Sequence, residues 1–281
     1  MQGRGSFGGL QGSYQMIDGG HHLLSVGLGA VYRDVRNEVL LTEAGQESSA
    51  EVLPAALTIS YSSARPDSLR GRNFLTSEYS YNLGDGLGLS RSDDMASLRG
   101  DARADYWVER LQAARLQTLL GSADKDGVWR GQWTLFVKIW GQVASGTLIP
   151  AEELALGGMD SVRGYQERSV AGDDGLAGNI ELRTPLFLDI LSGPFKPAPD
   201  GVARYVDRLQ LVVFADGGYV HRRETLGDEK STESIYSVGA GLRWSWAQWI
   251  QARFDAAYRL DETLLDTDRG PGCHVDVQLL F

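Results

Sequence analysis

Between residues 235 and 260 the chain alternates apolar and polar side chains without an error. Tyr236, Val238, Ala240, Leu242, Trp244 and Trp246 fall on one face; Ser237, Gly239, Gly241, Arg243 and Ser245 fall on the other. Successive strand side chains point to opposite faces, so period two sustained this long demands β-structure and excludes a helix. After only Ala247-Gln248 the pattern resumes, with Ile250, Ala252, Phe254, Ala256, Tyr258 and Leu260 against Gln251, Arg253, Asp255, Ala257 and Arg259, which makes the pair a tight hairpin. Each run is about ten to twelve residues, the reach a tilted strand needs to cross a bilayer. The polar face mixes charge with glycine, as a wet interior would. Trp244, Trp246, Trp249 and Tyr258 lie near run ends, where interfacial aromatic girdles belong. In lipid every backbone polar group must be paired internally, so spanning strands imply a closed barrel. The expected fold class is all-β, a transmembrane antiparallel β-barrel of the outer-membrane type.

Composition agrees once the alternation is known. Mean hydropathy is −0.23 and no apolar run approaches eighteen residues, which excludes a helical membrane protein. A barrel hides its apolar surface in every second residue, so its average reads as soluble. The net charge of −10 supplies no basic stripe to neutralise phosphates, so nucleic acid is excluded as a partner. Eleven candidate strands centre on residues 6–17, 22–33, 54–63, 73–83, 104–117, 133–144, 178–187, 210–220, 235–246, 249–260 and 274–281. In 104–117, Val108, Leu111 and Leu116 fit a helix nearly as well, and a bulge keeps it a strand. Bacterial single-chain barrels have even strand numbers, so an odd count leaves two readings. The chain lacks its N-terminal part, or a twelfth strand lies in 37–52 or 188–208. Residues 1–20 read as a strand and not as a leader. The expectation is one domain over residues 1–281, N-terminally incomplete, with a surface-to-lumen loop over about 145–177 and neither periplasmic domains nor signal peptide.

That loop carries the most specific local signal, Leu156-Gly157-Gly158-Met159-Asp160-Ser161-Val162-Arg163-Gly164-Tyr165. Three glycines permit a tight path, and a lone buried Arg163 needs a carboxylate partner. Parity supplies candidates. Leu211, Val213, Ala215 and Tyr219 form an apolar face, so Asp216 shares the opposite, lumenal face with Gln210 and Gly218. By the same test Glu181 and Arg183 point inward, because Ile180, Leu182 and Leu186 take the lipid side.

With these motifs in hand the chain resembles the C-terminal barrel of a two-partner secretion transporter, the haemolysin activator family of ShlB, FhaC and HecB, in the superfamily of BamA and TamA. The resemblance runs over residues 104–281 and is densest at 154–186: Leu-Gly-Gly, Ser-Val-Arg-Gly-Tyr, Asp173-Asp174-Gly175, then Asn179-Ile180-Glu181-Leu182-Arg183. Gly141-Gln142-Val143-Ala144 ahead of Leu148-Ile149-Pro150 resembles the family's lead into the loop, and Phe214-Ala215-Asp216-Gly217-Gly218 its second pattern. The resemblance implies a barrel of about sixteen strands, of which these eleven would be the sixth to the last. It also implies a loop whose Val162-Arg163-Gly164-Tyr165 motif folds back into the lumen, with Arg163 on Asp216. A terminal aromatic on an amphipathic last strand, Phe281, resembles the signal read by the barrel assembly machinery.

The implied function is an outer-membrane channel that secretes and thereby activates a large exoprotein of haemolysin or adhesin type. Its partners would be that passenger, outer-membrane lipid and the assembly machinery. In this scheme the inward glycines leave room for a polypeptide, and Arg243, Arg253, Asp255 and Arg259 keep the conduit wet. A hydrated lumen would screen the Arg163–Asp216 pair to roughly 1 kcal/mol. The rival readings are an assembly factor of BamA or TamA type and a passive porin.

No enzyme chemistry announces itself, and no catalytic residue, cofactor or metal is expected. His21, His22, His221 and His274 lack ligand spacing. Asp124-Lys125-Asp126-Gly127 opens like a calcium loop but has Leu135 at the twelfth position, where an acid is needed. Gly84-Asp85-Gly86-Leu87-Gly88 lacks the Lys-Ser/Thr of a phosphate loop, and no Gly-x-Ser-x-Gly elbow occurs. Cys273 has no disulfide partner. Glu152-Glu153 and Asp173-Asp174 read as solvating acids in the long loop.

Overall fold

The computed structural model describes residues 2–39, 46–123, 129–185, 187–188, 207–227, 229–246 and 249–280. In chain order the elements are β1 (Gln2–Asp18), β2 (His22–Val39), β3 (Gln46–Val52), β4 (Pro54–Ser63), β5 (Gly71–Asn82), α1 (Ser92–Leu98), β6 (Trp107–Ala123), β7 (Trp129–Ala144), β8 (Leu154–Leu156), β9 (Val170–Gly172), β10 (Asp174–Arg183), β11 (Phe187–Leu188), β12 (Asp207–His221), β13 (Thr232–Trp246), β14 (Ile250–Arg259) and β15 (Pro271–Leu279). Eleven of them form one antiparallel path, β1-β2-β4-β5-β6-β7-β10-β12-β13-β14-β15, whose edges are β1 and β15. They are the eleven strands the alternation predicts.

The extra pairings explain the odd count. β3 pairs with the far half of β2, from Arg33↔Val52 to Val39↔Gln46, while β4 pairs with the near half, from His22↔Ser63 to Ala30↔Ala55. The two share one neighbour end to end, so 46–52 adds no further strand to the path. Most of the other candidate region, 189–206, lies outside the described residues, as do Asp124-Lys125-Asp126-Gly127, Ala247-Gln248 and Phe281. The doubtful segment 104–117 is strand β6. Its register with β7 runs unbroken from Val108↔Ala144 to Thr118↔Thr134, and the irregularities lie beyond Thr118. β10 starts at Asp174, four residues ahead of expectation, because 174 pairs with β12 and 175–177 pair with both β7 and β12. The loop therefore closes at 173, and not near 177.

Burial follows parity. On β12, Val213 is 53% exposed while Val212, of identical chemistry, is 1% exposed. Alternate residues thus face lipid and interior, and a one-residue slip of register would exchange every one of them. The turns between β1 and β2 and between β4 and β5 are short and lie at one end; the loops over 83–106, 145–173, 222–231 and 260–270 gather at the other. Barrels of this type keep short turns on the periplasmic side and long loops outside, which orients the sheet. At the outer end Val52, Met95, Ala104, Tyr106, Leu148 and Ile149 form a separate apolar core beneath α1. The sequence reading did not contain this lid, because a helix of seven residues is too short for its periodicity to register.

The lipid-facing assignment has a direct test. Val213→Arg places a charge near the middle of β12 on the lipid side and should cost about 2–4 kcal/mol of unfolding free energy in vesicles. An unchanged denaturation midpoint would place that face in water.

Candidate functional site

The loop leaves β7 at the outer end, turns through the β8–β9 ribbon and sends its tip onto the inner face of β10, β12, β13, β14 and β15. Leu156, Val162, Tyr165 and Val170 of the loop pack on Ala177, Val220 and Ile235 of the wall, all buried. Gly157, Gly158 and Gly164 take positive φ of +110°, +97° and +92°, a region closed to most side chains. That path delivers Val162-Arg163-Gly164-Tyr165 to the wall.

Arg163 is 1% exposed and fully engaged. Its Nε and Nη2 donate to the two carboxylate oxygens of Asp216, each at 2.7 Å, and its backbone N–H donates to Asp216 Oδ2 at 3.1 Å. Nη1 donates to Glu181 Oε1 at 2.6 Å and lies 3.8 Å from Asp255. The guanidinium stacks 3.5 Å over the ring of Phe214, which faces inward two residues before Asp216. A planar fork against a carboxylate is the geometry that arginine supplies and lysine cannot. Asn179 completes the site, bridging Asp216 Oδ1 and the Ser161 carbonyl at 2.8 Å each.

The rest of the motif is held as firmly. The Tyr165 hydroxyl sits 3.0 Å from the carbonyls of Tyr236 and Asp261, donating to one of them, and accepts the Asp261 N–H. Gly164 N–H donates to His274 Nε2 at 2.9 Å, which requires that nitrogen to be unprotonated. The Gly164 carbonyl accepts from Arg259. A Cβ added at Gly272 on β15 would collide with that carbonyl, so the last strand must present a glycine there.

Four expectations need correction. The pair is not screened by lumenal water: the side chains of Arg163 and Asp216 are 2% and 0% exposed, which puts it in the buried regime. Gly272 makes room for the backbone of the returned loop at Gly164, a use of an inward glycine the sequence reading did not foresee. Arg243 and Arg253 do not simply wet a conduit. Both pair with buried Asp255 at 2.7 Å, and Arg253 also takes the Met159 carbonyl and Asp160 of the loop. Finally, the paired acids are not solvating. Asp173 accepts the Leu148 and Arg223 N–H groups, while Glu152 and Glu153 are buried on arginines.

Arg183 packs over Phe136 and pairs with Glu181, so it reaches Arg163 only through that shared acid. At the outer rim Arg99 lies 3.2 Å from Glu153 and 3.0 Å from Glu229. Burial pushes the Glu153 carboxyl up, against the pull of Arg99. Burial also opposes ionisation of Glu229, but the Leu226 N–H and Arg99 outweigh it and hold that group below the usual carboxylate range.

A sheet of bilayer-spanning strands, with a surface loop turned back and pinned to its inner wall, defines an outer-membrane β-barrel. The family described as haemolysin secretion/activation protein ShlB/FhaC/HecB matches residues 102–244, just over half of the chain, and the chain belongs to that family. It is thereby a protein of the bacterial outer membrane. Among solved structures it is similar to CdiB from Escherichia coli, with 18% identity and a TM-score of 0.71 over 99% of this chain and 45% of that one. CdiB from Acinetobacter baumannii gives 14% identity and 0.61 over 99% and 42%. BamA from Haemophilus ducreyi lacking POTRA domains 1-3 gives 13% identity and 0.60 over 97% and 54%. No curated protein sequence matches. The chain thus spans under half the length of either CdiB.

Removing one side of a buried pair strands the other, so Arg163→Ala or Asp216→Ala should each cost about 3–5 kcal/mol. The double variant should cost less than the sum of the two. Denaturant titration of the folded barrel in lipid measures both, and strictly additive losses would mean the pair is not coupled.

Proposed function

We propose that this chain forms part of the wall of a channel that exports a large exoprotein of haemolysin or adhesin type across the outer membrane by two-partner secretion. The observation that carries the reading is the uneven use of the inner face. The tip of the returned loop and the charge cluster around Arg163 occupy β10 to β15. The inner positions of β2, β4 and β5 include Ser25, Gly27, Ala56, Thr58, Ser60 and Thr76, small or hydroxyl-bearing side chains, alongside the charged Arg33 and Glu78 and the aromatic Phe74. Such a surface can exchange hydrogen bonds with a passing backbone without trapping it. The periplasm supplies no nucleotide energy, so direction comes from folding of the passenger outside.

In this reading Arg163 and Asp216 fix the loop, Glu181 takes the Nη1 donor that Asp216 leaves free, and Tyr165 ties the tip to β13 and the 260–270 loop. The passenger, membrane lipid and the barrel assembly machinery, reading the last strand through Phe281, are the partners. The likeness to BamA gives a second reading, assembly of other barrels. The family match favours export, and supply of a cognate exoprotein separates the two.

In the full-length parent, Arg163→Ala and Asp216→Ala should reduce export at least about tenfold, the effect of only ~1.4 kcal/mol on the loop's equilibrium. Gly272→Ala should do the same with no change of charge, because its methyl would displace the Gly164 backbone. Parental export by all three variants would remove the loop from the mechanism, and barrel insertion without export by the unaltered parent would favour the assembly reading.

A further inference from the structure

The loop has a second attachment, of opposite polarity and on the other part of the wall. Glu152, 1% exposed, pairs through Oε1 with Arg33 of β2 and through Oε2 with Arg110 of β6 at 3.3 Å. Its carbonyl accepts from Arg110 Nη2 at 3.2 Å and from Gln142 Nε2 at 3.1 Å. Arg110 is itself steadied by Gln142 Oε1 at 2.9 Å and Glu78 at 3.3 Å. The loop's tip therefore gives an arginine to acids on β10, β12 and β14, while its first arm gives a glutamate to arginines on β2 and β6. One segment spans the inner face and is tied at both sides.

The two ties differ in what happens when they part. Arg163 and Asp216 are sealed from water, joined by a two-pronged fork and backed by Glu181, Phe214 and Tyr165. On the other side, Arg33 and Arg110 keep 36% and 34% of their side-chain surface exposed, so water stands ready to replace the glutamate. Separating ions that rehydrate at once costs far less than stranding a sealed charge. Glu152, Arg33 and Arg110 line one side of a cavity of about 340 Å³ whose wall includes the small residues Gly29, Ala56 and Ser80. These small side chains sit on the part of the wall that the Arg163 cluster leaves free.

We infer that Glu152 is a releasable latch, a positioning residue that holds the loop's first arm over the β2–β6 part of the inner face. It parts from Arg33 and Arg110 while Arg163 stays on Asp216, and the segment around Glu152 lifts from the free wall, pivoting on Leu148 and Ile149 in the outer apolar core and on Glu153 at Arg99. The inference rests on reading the chain as a channel wall. It adds to that reading which of the two ties moves.

The test is single-channel recording of the full-length protein in planar bilayers, with heat-modifiable gel mobility as the check on folding. Glu152→Gln should raise open probability about tenfold, the population shift for ~1.4 kcal/mol. Glu152→Asp, which keeps the charge, should stay close to the parent. Arg33→Gln combined with Arg110→Gln should reproduce the opening, and adding Glu152→Gln to that pair should change nothing further. If the glutamine variant fails to fold, the arginine pair decides alone. A parent that conducts and exports while neither set of substitutions alters opening overturns the latch and leaves the channel reading standing. A parent that neither conducts nor exports overturns the channel reading itself.

Discussion

One guanidinium removed from water organises this molecule. Arg163 is tolerable in its position only because Asp216, Glu181 and Asp255 surround it and Phe214 lies beneath it. Each of those groups is inward-facing on β10, β12 or β14, with Glu181 and Phe214 directly opposite each other and Asp216 one inward position further along β12. The sheet's alternation is therefore not only a device for facing lipid. It also sets acids and an aromatic ring at fixed heights, so that a loop arriving from the outer end finds a prebuilt receptor. Conversely, Asp216 would lose its arginine without the loop, whereas Glu181 and Asp255 would keep Arg183, Arg243 and Arg253 of the wall. Wall and loop are each incomplete alone, and the buried charges make that dependence strict.

Much of this was legible in the sequence, for identifiable reasons. Period two is local, so the eleven strands could be read off, and parity alone put Asp216 and Glu181 on the inner side. The motif around Arg163 marked the loop, and the need of a buried arginine for an acid marked its counterpart. What escaped was whatever depends on pairing between distant segments. Nothing near Glu152 in the chain announces Arg33, 119 positions away. Asp255 was legible as inward, yet only the stagger of β13 against β14 brings it beside Arg243 and within reach of Arg163. Phe214 looked like part of a motif, and its role as a platform needs the third dimension.

The misread acids carry a general lesson about loops. Adjacent carboxylates in a polar surface segment are normally hydrated, and composition favoured that reading for Glu152-Glu153 and Asp173-Asp174. Here the loop does not stay at the surface. It enters a wall rich in arginine, and its acids are consumed as its structural contacts. Asp173 shows the point well, since both its oxygens serve backbone N–H groups, one from the loop's start and one from the neighbouring loop after β12. A negatively charged loop beside positively charged inner positions is a sign of docking that charge counting within one segment cannot reveal.

The order of partners along the chain has a consequence for assembly. Arg33 and Arg110 precede the loop, whereas Asp216, Tyr236, Asp255 and His274 all follow it. The contacts of the acidic arm thus lie on strands that come before the loop, and those of the tip on strands that come after it. Arg163 is enclosed by β10, β12 and β14, while β15 supplies the glycine against which Gly164 rests. Seating of the tip therefore requires β10 to β15 to be in register, so one loop clasps both flanks of the sheet.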